Sequence, residues 1–295
     1  MPCVLSYRLL CSQLPLLARL PQRQHMPEPA FFVASYGNDA NPCTFGSPCK
    51  TFQQAVTVVD AGGEVTAIDS AGFGPINITK AVTVTSPDGV EAGIVPAAGG
   101  NAITIAAGAS DAVSLRGLTI DGFGTGSIGL QINSGASVTI DHCVIRHFAS
   151  GIVVSPSSGT TIFSMSDSFS LDNSSYGLLF HPTGSGSALG RLVRDELSRN
   201  KNGLFVVGDS TTAFAATKVV VSETSANDHK TNDGFSVSGG ATLTLTRSIS
   251  TGNFNGIAQY NGSNNQAGVL QSYGDNRFVG NVQLNASGVV MLTGN

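Results

Sequence analysis

Residues 137–154 read SVTIDHCVIRHFASGIVV. Apolar residues alternate at Val138 and Ile140, pause over Asp141-His142, and resume at Cys143 and Ile145. They return at Ile152 and Val154, behind Gly151. Alternation with a period of two marks a strand with one buried face. The two-residue pause is a bend, after which the alternation keeps its inward sense. Such a stretch therefore predicts three short strands: one before the bend, one after it, and one after the glycine. Asp141 and His142 fall on the bend, where polar residues face solvent for ordinary reasons.

The form repeats. Gly129, Gly151, Gly177, Gly203, Gly234, Gly256 and Gly280 each open an apolar-x-apolar stretch, at spacings of 22 to 31 residues. Paired segments precede them: VSLRGLTI at 113–120, VTIDHCVI at 138–145, VVVSETSA at 219–226 and LTLTRSIS at 243–250, with INITKAVTV earlier at 76–84. The equivalent bends are read as Thr79-Lys80, Arg116-Gly117, Arg194-Asp195, Ser222-Glu223 and Thr246-Arg247. A unit this short, with no helical period, cannot hide its own apolar face; stacking on its neighbours does so. The expectation is an all-β, right-handed parallel β-helix with three strands per coil and about nine coils. Inward positions are expected near Val65, Ile103, Leu130, Ile152, Leu178, Leu204, Phe235, Ile257 and Val282. Residues 86–100 and NDHKTND (227–233) read as insertions. His147, Asn173, Asn200 and Asn253 lie three or four positions ahead of a glycine and read as a loose ladder of stacked polar side chains.

The chain divides into three parts on this reading. Residues 1–30 are a leader or disordered segment, 31–63 an N-terminal cap, and 64–295 the β-helix. The leader is atypical, because Arg8 and Arg19 interrupt its apolar runs; Met26 is an alternative start. In the cap, Phe52, Ala55, Val56 and Val59 have helical spacing over 51–60 and precede Gly62-Gly63, predicting a short helix over the first coil. Cys43 and Cys49 flank a turn-rich loop; a small disulfide and an oxidising compartment are expected, two unpaired thiols being the alternative. Cys143 reads as a small buried hydrophobe. Charged residues make up 12% of the chain and its net charge is −4. With no basic run, nucleic acid is a poor partner. No apolar run approaches the roughly 18 residues a membrane span needs. No cap is evident at VVMLTGN, so end-to-end self-association through the C-terminal coil is a further expectation.

SYGNDANPCTFGSPCKTFQQAV (35–56) and GGEVTAIDSAGFGPINITKAVTV (62–84), followed by the glycine-apolar coils, resemble bacterial secreted proteins with a right-handed β-helix region, in the broad pectin-lyase-like group. The resemblance covers 31–295. It implies a secreted, periplasmic or surface location and a polysaccharide partner, and it does not fix an activity. The Asn-Thr-Asp, Asp-Asp and Gly-His-Gly motifs of polygalacturonases are absent, as is the Arg-x-Pro-x-x-Arg element of pectate lyases.

Hydrolases of this group need converging carboxylates. The outward positions after the recurrent glycine, from Gln131 and Asn133 to Gln283 and Asn285, contain none. They do hold His181, Phe205, Val207 and Tyr260, an aromatic strip on which a sugar ring would stack; cover by a loop at 181–188 is the alternative. Gln131 and Asn133 extend this candidate surface. Weaker catalytic candidates are Asp141, His142 and Arg146 on one coil and Asp228, His229 and Lys230 on another. A Ca²⁺ site at Asp141 is not supported, since one carboxylate falls short of six or more oxygen ligands; no cofactor or metal is expected. The leading expectation is a secreted or surface, polysaccharide-associated, non-catalytic β-helix. A lyase or hydrolase with a loop-borne site and a structural or adhesive fibre module are the alternatives.

Overall fold

A computed structural model describes residues 30–208, 217–285 and 289–293. Residues 1–29 of the leader, with Met26, lie outside the described residues. The described residues form a solenoid of short parallel strands with one helix. Each full coil has three faces. The pre-bend face stacks eleven strands in sequence order, from Phe31–Val33 and Glu64–Ala67 to Val269–Ser272 and Val290–Met291. The post-bend face runs from Ala71–Gly72 to Arg277–Val279. The post-glycine face runs from Ile76–Ile78 to Gln283–Asn285. Nine strands stack there, enclosing about eight turns.

The inward column on that face is Ile76, Ile103, Leu130, Ile152, Leu178, Leu204, Phe235 and Ile257. All are at least 95% buried. Two expected members of this column need correction. Val65 belongs to the pre-bend face, paired with Val84. Val282 is 73% exposed, because Gln283 is the residue that aligns with Asn255 and the register shifts beyond it. Residues 86–100 are not an insertion either: Ala92–Ile94 supplies a rung of the post-bend face. Thr79-Lys80 sits at the corner between the post-glycine and pre-bend faces, not at the bend.

Large and small residues interlock inside. On the pre-bend face Phe163 stacks on Gly190, which stacks on Val219. The gap left by Gly190 is filled from the opposite face by Phe180, whose ring meets Phe163 edge-on at 5.5 Å. A β-carbon on Gly190 would stand 2.6 Å from Phe180 Cζ.

The N-terminal end is closed by the helix Phe52–Val58, N-capped by the Thr51 hydroxyl on the Gln54 amide. Phe52, Ala55 and Val56 are buried, and Phe52 packs on Phe73 at 5.0 Å. Cys43 and Cys49 are disulfide-bonded, and Cys143 is buried in the coil. At the other end Val279, Val282, Val290 and Met291 are exposed. Among the described residues no helix is long and apolar enough to cross a membrane.

Candidate functional site

The corners are built from polar columns. At the bend an inner column links Cys143, Ser168, Asp195, Thr224, Ser248 and Asn276. Each backbone amide donates to the next residue's side chain, as from Cys143 N to Ser168 Oγ and from Ser168 N to Asp195 Oδ1, both 3.0 Å. This satisfies amides that a bend takes out of the sheet. The residue before each of the first five members is left-handed: His142, Asp167, Arg194, Glu223 and Arg247, with Gly117 left-handed at the bend one coil earlier. Val193-Arg194 is therefore the bend pair on its coil, and the expected Arg194-Asp195 slips by one residue. Asp195 is inside, 3% exposed, and burial pushes its carboxyl up to about 7, against the amides of Ser168 and Val193.

Asp141 and His142 lie in this outer column. His142 Nδ1 is 2.9 Å from Asp141 Oδ1, which also accepts from Ser166 Oγ. Arg116 approaches the other oxygen at 3.4 Å. Asp167 completes a trio whose ligand atoms lie within 4.8 Å of one another. Its two oxygens are already held by Arg194 at 2.7 and 2.6 Å. Three donors, one of them engaged in this way, do not make the oxygen cage that Ca²⁺ needs.

The second corner, ahead of the glycine, has the same plan. Phe148 N donates to Asn173 Oδ1, Asn173 N to Asn200 Oδ1, His229 N to Asn253 Oδ1 and Asn253 N to Asn281 Oδ1. Two corrections follow. His147 is not in the ladder, because its rung belongs to Phe148. His229 is in it, wholly buried, rather than in a solvated loop. His229 Nδ1 lies 2.8 Å from the Asn200 carbonyl, and Nε2 is buried without a well-formed hydrogen bond. Burial lowers its pKa, with the carbonyls of Asn200 and Leu197 and the charges of Asp228 and Asp233 pulling the other way. Asp228 and Lys230, on either side, are exposed. They line a cavity of about 590 Å³ with Asn173, Ser174, Arg199, Asn200, Lys201 and Thr231. Arg199 is tied to Asp172 by two bonds of 2.8 and 3.0 Å.

Arg146 does not join Asp141 and His142. It is turned onto the post-bend face, where Asp121 holds it together with His147. Thus the six weak catalytic candidates are distributed over three places.

The aromatic candidates do come together. His181, Phe205, Val207 and Tyr260 line one groove of about 300 Å³ with Tyr176, Leu179, Ser238 and residues 261–263. Tyr176 stacks on Phe205 at 6.1 Å and 25°, and Tyr260 meets Phe205 edge-on at 6.4 Å. Tyr176, missed by sequence reasoning, lies just ahead of Gly177; only the register Leu179↔Phe205 brings it beside Phe205. The far end is shaped by a turn over 260–268, bridged at Ser238↔Ala267 and Asn261↔Ala267. Ala258, Ser236 and Ser238 are consequently buried rather than outward-exposed. Under the groove, Asp233 accepts from Tyr260 Oη at 3.0 Å and from Asn255 Nδ2 at 2.7 Å. The lining holds no carboxylate. Gln131 continues the same outward row, through Val153 and Leu179, toward the N-terminal end. Its amide bonds Asn133 and Ser155 at 2.9 and 2.8 Å.

These features define a parallel β-helix carrying an aromatic groove on its post-glycine face. The fold is similar to the solved structure titled pectate lyase Pel9A. The TM-score is 0.57 at 14% identity, over 90% of this chain and 77% of that one. A rhamnogalacturonan lyase matches at 12% identity over 84% of this chain and 62% of that one, with a TM-score of 0.30 that carries no argument. No family model and no curated protein matches the sequence.

Proposed function

We propose that the protein is a polysaccharide-binding β-helix that holds its ligand, without cleaving it, in the groove of Tyr176, Phe205, Tyr260 and His181. The observation that carries this reading is the lining itself. Three aromatic rings and an imidazole stand together on a rigid strand face, with no carboxylate among the lining residues and the nearby Asp233 buried beneath Tyr260. Aromatic faces take up the C–H surfaces of sugars at small entropic cost, because a ring has only two side-chain torsions to fix. The amide and hydroxyl row of Gln131, Asn133 and Ser155 extends the surface with hydrogen-bonding groups. The disulfide favours an oxidising compartment, which fits a secreted, periplasmic or surface protein meeting such a polymer.

A second reading rests on the cavity beside Asp228. Glycoside hydrolysis requires two carboxylates some 5–10 Å apart, and Asp228 is the only carboxylate in that lining. Lys230 and Lys201 leave room for proton abstraction by an amine, hence for an eliminating enzyme.

Incubation with a panel of purified polysaccharides separates the two. Saturable binding that weakens about tenfold or more in Phe205→Ala, with no new reducing or unsaturated ends, supports the binding reading. Product release that is lost in Lys230→Ala and retained in Phe205→Ala would replace it with the second.

A further inference from the structure

Three of the corner arginines follow one rule, from which Arg146 departs. Arg194, Arg199 and Arg247 each use both Nε and Nη2 on the carboxylate of the preceding rung: Asp167, Asp172 and Glu223. Arg146 meets its carboxylate, Asp121, through Nε alone, at 2.8 Å. The reason is His147, whose Nδ1 takes the other oxygen at 3.0 Å. Asp121 Oδ1 also accepts the Phe123 amide at 2.9 Å. Three groups are therefore anchored to one carboxylate. Among the described residues neither the Nη atoms of Arg146 nor Nε2 of His147 has a hydrogen-bond partner.

The anchor differs from the others in burial. The Asp121 side chain is 8% exposed, against 28% to 42% for Asp167, Asp172 and Glu223. Its pKa is lowered: burial pushes it up, but the Phe123 amide, His147 and Arg146 outweigh that. A buried, ionised carboxylate that fixes two half-exposed side chains is a built device rather than a surface ion pair. Phe123 adds an independent sign. It is 70% exposed and left-handed at φ 48°, a conformation that costs a bulky residue energy and gathers at functional positions. Ile94 pairs with Ile120, so Val95 lies one rung before Asp121 and borders a depression of about 350 Å³ lined also by Ser70, Ala71, Gly72, Gly93 and the carboxylate of Glu91, which keeps an anion to the Arg146 side.

We propose that Arg146 and His147, jointly anchored by Asp121, form an oxyanion-binding site. The free Nη pair of Arg146 is the fork that grips a carboxylate or sulfate group bidentately. Donating to Asp121 through Nδ1–H, His147 in its imidazolium form has Nε2–H as a second donor for the anion. Phe123 gives the body of the ligand an apolar surface. The site does not depend on the aromatic groove, which lies on another face.

The test is a titration of the intact protein with glucuronate, glucose 6-sulfate and inorganic sulfate, with glucose as the neutral control. The observable is the His147 ring resonance by NMR. Saturable shifts with one or more of the anions, none with glucose, and at least about a tenfold weaker midpoint in Arg146→Gln are expected. Arg194→Gln, which removes an arginine whose Nε and Nη2 are both bonded to Asp167, leaves the midpoint unchanged. Glucuronate and glucose 6-sulfate distinguish a carboxylate-bearing from a sulfated ligand, and a response to inorganic sulfate alone identifies a free-ion site. Should no anion give a saturable shift, or should Arg146→Gln titrate like the unmodified chain, the site does not exist. Phe205→Ala separates this result from the groove: it weakens polysaccharide binding there and leaves the anion-induced His147 shifts intact.

Discussion

The Nδ2 atom of Asn200 stands 2.5 Å from where a β-carbon on Gly177 would lie. The relationship recurs one coil at a time. Asn173 Nδ2 faces Gly151 at 2.8 Å, His229 Nε2 faces Gly203 at 2.6 Å, and Asn253 Nδ2 faces Gly234 at 2.8 Å. The recurrent glycine and the residue three to five positions ahead of the next glycine are therefore two halves of one contact between neighbouring coils. At Gly151, Gly177, Gly203 and Gly234 the glycine is required for close approach, not for an unusual φ; Gly280, left-handed at φ 67°, stands outside this pattern.

Gly177→Ala should accordingly destabilise the chain by about 1–3 kcal/mol, because both obstacles, Asn200 Nδ2 and the Gly203 carbonyl, are held in the stack. Gly72→Ala, whose β-carbon would meet nothing within 4 Å, should change stability by a few tenths at most. Urea denaturation of both variants checks this. Equal losses would show that the contact is not the reason for the glycine.

Asn200 is the more exacting half. Its Oδ1 accepts from both the backbone and side-chain amides of Asn173, and its Nδ2 donates to the Ser170 carbonyl at 2.8 Å. Asn200→Ala leaves those buried groups unpaired, and a loss of about 2–4 kcal/mol is expected from the same denaturation series. Asn200→Asp, which restores the acceptor but turns a carboxylate oxygen toward the Ser170 carbonyl, should recover little of it.

Much of the architecture was legible because a period of two and a coil of 22 to 31 residues are properties of a single chain. Val138, Ile140, Ile152 and Val154 point inward as their alternation requires, and Phe205, His181 and Tyr260 share one surface. What escaped was stacking between coils. Coil lengths vary, so the partner of a given residue one turn away is not at a fixed offset. That is why Arg194-Asp195 slipped by one, why His147 was exchanged for Phe148, and why His229 was read as loop. Tyr176 and the Asp121, Arg146 and His147 cluster were missed for the same reason, since their partners are 25 to 29 residues away.

The two inner columns should respond to pH in opposite senses. Burial lowers the pKa of His229 below its unfolded value near 6.5. The unfolded chain thus binds the proton first, and this contribution to stability is full above about pH 6.5 and is lost as pH falls below it. His229→Asn, which keeps the ladder's residue type, should flatten the acid side of the stability profile between about pH 7 and 5. An unchanged slope in the variant would mean that His229 is not the group responsible.

Asp195 works the other way. Its folded pKa of about 7 exceeds the model-compound 3.8, so the protonated folded state is favoured and the contribution is complete below about pH 4. It is lost as pH rises toward 7, by an amount on the order of 4 kcal/mol for a shift of this size. Asn276 already occupies the same column, accepting from Ser248 N at 2.8 Å while donating to the Leu245 carbonyl at 3.0 Å, so an uncharged amide fits the corner. Asp195→Asn should therefore gain on the unmodified chain steadily from pH 4 to 7 and show no further relative change above about pH 8. Thermal midpoints across that range decide the matter: a constant offset between the two proteins would place the proton uptake elsewhere.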